Sequence, residues 1–215
     1  MALKKISSVV VLGIDSNYEP VTAAGEKFRG KRVYPKFMSE GAEVRRLIGQ
    51  TATRSDFVVE ANEPDIDYIT GVGHGSYDTY TGHHGNPILR VNRYNPSEVR
   101  GRVIHLLSCQ TARLLGPDLV RNGVKAFFGY NENFIFSMPV SNEFFECDSQ
   151  IDLVLASGRN VSLAHSTCIA SFNHYIDEYK QLGQFRLAAM FETDRDRLRS
   201  PVISKRYGDP NSVIS

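Results

Sequence analysis

Apolar residues follow two patterns along this chain. Up to about residue 130 they come as short runs, rich in β-branched side chains and broken by polar turns, whereas after Ser141 they recur at helical spacing. Ser8 to Ile14 (SVVVLGI) is closed by Asp15, Asn17 and Pro20, which predicts a strand buried on both faces and central in a parallel sheet. Phe57-Val58-Val59 predicts a second strand, and Asp65 to Val72 a third that runs into Gly73-His74-Gly75. A polar stretch from Ser76 to Asn86 reads as a loop or small hairpin before Pro87 to Val91. Arg102 to Ser108 and Val124 to Gly129 complete the predicted strands.

Helices are expected between and after them. Val44, Leu47 and Ile48 lie at helical spacing behind Ser39, a candidate N-cap. A further helix is predicted over Thr111 to Asn122, stopped by Gly123. Beyond it, Val161 to Tyr179 and Phe185 to Leu198 are helical, with Arg186, Glu192, Asp194, Arg195, Asp196, Arg197 and Arg199 read as a solvated face. Strands alternating with helices predict an α/β fold with a mainly parallel sheet covered by the later helices. No repeat or linker composition interrupts the chain, so residues 1–215 are expected to form one domain.

Charge and cysteine content narrow the function classes. Lys plus Arg number 25 and Asp plus Glu 24, a formal charge of +1, which supplies no electrostatic reason to bind nucleic acid or an anionic membrane. No stretch approaches the roughly 20 apolar residues of a membrane span. Three cysteines, at 109, 147 and 168, are too few for a disulfide scaffold, so a reduced, cytoplasmic setting is expected. Lys4-Lys5 before the apolar run to Ile14 imitates the start of a signal peptide. Asp15, Asn17 and Glu19 cut that run short, and export is not expected.

In open α/β sheets ligands sit beyond the carboxyl ends of the strands, so the residues after each strand are the candidates. They are Asp15 and Asn17, His74 and Gly75, Cys109 and Gln110, and Tyr130 to Asn133. A buried cysteine or a turn histidine is ordinary taken alone. Together, at one sheet edge, Cys109 and His74 make a nucleophile and its acid-base partner. A helix start after Cys109 is expected to favour the thiolate. The amides of Gly75 and Cys109 are candidates for the oxyanion hole, and Gly75, without a Cβ, lets substrate approach. Asp15 and Glu132 are the acids available to bind a basic substrate side chain or to orient His74; otherwise they cap a turn and meet solvent.

Other sites fit less well. His74, Asp78, His83 and His84 are metal-ligand types in one loop, but adjacent histidines and the lack of Cys-x-x-Cys suit zinc poorly, and no metal is expected. Gly71, Gly73 and Gly75 match neither nucleotide-binding glycine pattern, and no Gly-x-Ser-x-Gly elbow exists.

The segments Ile69-Thr70-Gly71-Val72-Gly73-His74-Gly75-Ser76 and Val103-Ile104-His105-Leu106-Leu107-Ser108-Cys109-Gln110-Thr111-Ala112 resemble the caspase-gingipain clan of cysteine peptidases. Tyr207-Gly208-Asp209-Pro210 is similar to a Gly-Asp-Pro near the end of the gingipain catalytic domain, so the likeness is strongest to gingipain-like bacterial peptidases. The resemblance implies a caspase-like three-layer sandwich. It also implies a cofactor-free endopeptidase with Cys109 as nucleophile, His74 as acid and base, and Gly75 and Cys109 as oxyanion donors. A protein or peptide is then the substrate, and a regulatory protein is a candidate partner. Two departures stand out: Leu107 occupies the position where caspases and their arginine-cleaving relatives carry Gln or Asp, and the signal sequence of gingipains is not seen. A basic preference thus rests on Asp15 and Glu132 alone. A silent interaction module of the same fold, or a self-processing protease, are the alternatives.

Overall fold

An unbroken apolar run leaves a strand no solvent face, and β1 (Val10–Asp15), five such residues followed by Asp15, is buried at every position. The computed structural model describes residues 8–214, so Lys4, Lys5 and Ile6, considered above as a leader-like start, lie outside the described residues. β1 pairs in parallel with β2 (Glu43–Ile48) and β3 (Ile66–Val72). β3 continues to β6 (Val103–Leu107) and β6 to β7 (Ala126–Tyr130), both in parallel, and the two-residue β8 (Leu198–Arg199) closes the edge antiparallel to β7. The order across the sheet is β2-β1-β3-β6-β7-β8. A separate antiparallel hairpin pairs β4 (Thr79–Thr81) with β5 (Pro87–Arg90), so the stretch Ser76 to Asn86, expected to be a loop or small hairpin by itself, supplies one strand and the turn while Pro87–Arg90 supplies the other strand.

Helices cover both faces, giving the expected α/β sandwich. α1 (Pro20–Ser39), α4 (Ser141–Ala156), α5 (Val161–Gln181) and α6 (Phe185–Arg197) enclose one core, and α2 (Arg54–Ala61) and α3 (Leu115–Arg121) the other. Among the described residues no helix is long and apolar enough to cross a membrane.

Four predicted elements are corrected. Ser39 ends α1 instead of starting a helix, and Val44 and Leu47 belong to β2, a half-exposed edge strand whose partly polar sequence imitates helical spacing. Phe57-Val58-Val59 lies in α2, because Thr53 caps the amide of Asp56 and fixes a helix start there despite the β-branched residues. The helix after Cys109 begins at Leu115, not Thr111, following a series of turns. Asp194, assigned above to the solvated face of α6, is fully buried.

Sheet register explains the polar side chains in the first core. Gly13, Thr70, His105 and Phe128 lie side by side across β1, β3, β6 and β7. A Cβ at Gly13 would come 2.7 Å from the Tyr34 hydroxyl, so glycine there leaves room for the ring. Onto this row α1 lowers Arg29, and α4 lowers Asp148 and Asp152, one helical turn apart. Arg29 binds Asp15 at 3.2 Å, Asp152 at 3.1 Å and Thr70 at 2.6 Å. His105 has Asp152 3.1 Å from Nδ1 and Asp148 3.2 Å from Nε2. Burial disfavours charge on this imidazole, but the two carboxylates outweigh it and lift its pKa to about 9.

Candidate active site

The ends of β3 and β6, adjacent in the sheet, deliver His74 and Cys109 to one edge. Both residues line a single recess, together with Val21, Val72, Leu107, Phe134, Phe136 and Phe145. The structure therefore brings together the two residues that the strand-end argument nominated. A larger groove of about 570 Å³ between α1 and the start of α4 is lined by Lys27, Lys31 and Arg32 and includes neither of them.

His74 is held from outside the recess. Its Nε2 lies 3.2 Å from Oε1 of Glu19, a residue the sequence reading did not nominate. Glu19 is also the N-cap of α1, accepting from the amides of Thr22 at 2.7 Å and Val21 at 3.0 Å. Partial burial opposes its charge, yet those amides and His74 together hold the Glu19 carboxyl below its ordinary range. One carboxylate thus starts the helix and faces the imidazole.

Cys109 is less prepared. Its thiol donates to the Phe134 carbonyl at 3.9 Å, not to His74. With α3 starting at Leu115, the thiol does not sit on a helix N-terminus as expected, and burial pushes its pKa up. Burial thus favours the thiol form over the thiolate.

Several backbone amides near it are already taken. The amide of Gly73 is used by the Leu107 carbonyl, that of Ser76 by Thr79 and that of Gln110 by Glu132. Among the described residues no backbone carbonyl takes the amides of Gly75 and Cys109, and the Cys109 amide faces its own sulfur. Gly75 is forced to be glycine by crowding: a Cβ there would come 2.2 Å from Ser108 Oγ and 2.7 Å from the Cys109 carbonyl. The Ser108 hydroxyl is buried without a partner.

Asp15 and Glu132 stand elsewhere. Asp15 is fully buried, with Arg29 on Oδ1 and with Tyr34 at 2.6 Å and Arg46 at 3.1 Å on Oδ2, so it neither faces a substrate nor reaches His74. Its place immediately after an apolar strand made it a candidate, and the arginine that claims it comes from α1, which sequence pattern did not predict. Glu132 is exposed outside the recess, 3.8 Å from Arg113.

The loop histidines form no ligand set among the described residues. Asp78 is bound to the Ser76 and Thr79 hydroxyls and to Arg90, while Tyr18 packs against the rings of His74, His83 and His84. His105, Asp148 and Asp152 do place ligand-type atoms within 4.8 Å of one another. Because Arg29 occupies Asp152 and both imidazole nitrogens face carboxylates, those residues fit an ion-pair network better than a metal.

No family model and no curated protein sequence matches the chain. Its fold does have a match among solved structures. The chain is similar to the complex of the pro- and mature domains of RgpB from Porphyromonas gingivalis, with a TM-score of 0.59 and 10% identity over 98% of this chain. It spans about half of that chain, 49%. The fold is caspase-like. At this identity the likeness extends to the fold, and the chemistry has to be argued from the site itself.

Proposed function

We propose that the protein is a cysteine endopeptidase in which Cys109 is the nucleophile and His74 the general acid and base. One observation carries the reading: the two side chains, delivered by neighbouring strands, share a recess, and no backbone carbonyl takes the amides of Gly75 and Cys109. As Sγ attacks the scissile carbonyl carbon, His74 takes the thiol proton and the carbonyl electrons move to oxygen. The Gly75 and Cys109 amides meet that oxyanion. Collapse breaks the C–N bond, the imidazolium protonates the leaving amine, and a thioester remains. Water then gives a proton to His74 and adds to the thioester; the C–S bond breaks, and the thiol regains its proton. Glu19 positions the ring and balances its charge while it is protonated. None of these steps calls on a cofactor.

The hydrogen bond from Cys109 to Phe134 favours a second element, a latent resting state released by substrate, by self-processing or by a protein partner. That the comparison structure pairs a pro-domain with a mature domain supports the protein partner. A preference for basic residues has lost Asp15 as its basis and rests on Glu132 alone.

A peptidyl probe with a thiol-reactive end tests the reading. Labelling on Cys109, abolished in Cys109→Ala and reduced in His74→Ala, is expected. Equal labelling of Cys147 or Cys168 would exclude it.

A further inference from the structure

We infer that the recess beside Cys109 receives the substrate side chain preceding the scissile bond and selects a compact aliphatic one over a basic one. The inference rests on the peptidase reading above and adds its substrate class.

The walls argue for it first. Val21 comes from the start of α1, Val72 from the end of β3, Leu107 from the end of β6, Phe145 from α4, and Phe134 and Phe136 from the loop after β7. Among the described residues no lysine, arginine, aspartate or glutamate lines the recess. A guanidinium or ammonium group entering it would lose its water and gain no counter-charge, which is the costly way to bury a charge. Ser108, the buried polar group there without a partner, can exchange a hydrogen bond but cannot neutralise a cation.

Acids around the recess are committed elsewhere. Glu19 caps α1 and faces His74. Behind the aromatic wall, Asp194 accepts from the Ile135 amide at 3.0 Å, and burial pushes its pKa up; it does not line the recess and is held by the backbone as a hydrogen-bond acceptor. Asp15 is held by Arg29 and Arg46.

Size and rigidity favour the same class. The recess is about 50 Å³. At roughly 10–15 Å³ for each water-sized group it holds about four such groups, the scale of Val or Leu. Its side formed by the loop after β7 is tied to α6 at three points. The Asn131 amide donates to the Arg197 carbonyl at 3.1 Å, Arg197 Nη1 to the Asn133 carbonyl at 2.6 Å, and the Ile135 amide to Asp194. Phe134 and Phe136 are partly exposed yet fixed, with Phe136 packed 4.9 Å from Phe145 between ring centres. An apolar surface held open in this way is a preformed receptor.

The test uses the full chain and a set of peptidyl acyloxymethyl ketones identical except at the residue next to the reactive group. Rates of Cys109 modification are read by intact mass and peptide mapping. Leu and Val probes are expected to react on the order of 100-fold faster than Lys or Arg probes, the scale on which apolar pockets discriminate. Faster reaction of the Lys or Arg probes would overturn the selection while leaving the peptidase reading in place. Modification of Cys109 by no probe would overturn both. Val21→Asp puts a carboxylate on the recess wall at an exposed first-turn position that tolerates an acid, and is expected to raise the Lys probe rate at least tenfold over the Leu probe rate. An unchanged ratio in a folded variant would overturn the placement of the recess. Phe136→Ala, at a partly exposed site, is expected to admit a Phe probe that the native protein rejects. Equal rejection by both would likewise count against the assignment.

Discussion

Glu19 Oε1 lies 3.2 Å from His74 Nε2 while the same carboxylate caps the first turn of α1. Helix start and imidazole therefore share one side chain. The two roles separate under substitution. Glu19→Gln keeps one oxygen for the Thr22 amide, gives up the second acceptor used by Val21, and removes the charge facing the imidazole. Peptide hydrolysis is expected to fall about tenfold in kcat with little change in KM, at nearly native stability. Glu19→Ala is expected to lose the same activity and about 1 kcal/mol of stability besides. Steady-state kinetics and thermal melts of the two variants check the split, and Glu19→Asp should restore part of kcat.

Thiol chemistry is expected to follow burial. Cys109 is partly exposed, whereas Cys147 and Cys168 are buried, and burial lifts the Cys147 pKa to about 12. In the native protein iodoacetamide is expected to modify Cys109 first, with a rate that keeps rising above the usual thiol range because its own pKa is raised by burial. Peptide mapping across a pH series checks both. Modification of all three together at neutral pH would mean that the folded core is open.

His105 makes stability depend on pH in a definite direction. Its folded pKa of about 9 exceeds the unfolded value of about 6.5, so its contribution is complete below about pH 6.5 and disappears as pH rises through about 9. The loss has an upper bound of about 3 kcal/mol. The melting temperature is expected to fall across this window, and His105→Asn is expected to flatten the fall while lowering stability at pH 6. Asp152 acts at the other end. Burial opposes its charge, but Arg29 and His105 hold its carboxyl well below the usual range, so stability present above about pH 4 is lost on acidification.

Asp194 needs its oxygen more than its charge. Asp194→Asn keeps the acceptor for the Ile135 amide, and a cost under about 1 kcal/mol is expected. Asp194→Ala orphans that amide and frees the aromatic wall. It is expected to cost about 1–3 kcal/mol and to blunt discrimination among side chains in the recess. Denaturant melts and the probe panel measure the two effects.

Cys109 and His74 were legible because each follows an apolar strand, and parallel strands bring such ends to one edge. Glu19 was hidden four residues beyond β1, in a turn whose geometry depends on a helix that the apolar pattern did not mark. α1 hides for a physical reason. Its core side includes Arg29, buried by pairing with Asp15 and Asp152, and its sequence contains Gly25, Gly30 and Pro35, so it lacks a continuous apolar stripe. The same pairing removed Asp15 from the candidate site. β2 was read as a helix because an edge strand with half-exposed residues shows no regular alternation. The recess walls come from five separate parts of the chain, and no single segment advertises them.

The ion pairs beneath the site act on alignment as well as stability. Thr70 and His105, side by side on β3 and β6, both bind Asp152, and each sits four residues before a member of the proposed dyad, His74 and Cys109. If β6 slipped by one residue along β3, His105 would turn to the opposite face of the sheet and leave two carboxylates buried without it. Misaligned packings of the strand ends are penalised at this layer, before any substrate arrives. The surface loops are then free to vary while the spacing of thiol and imidazole is kept from below.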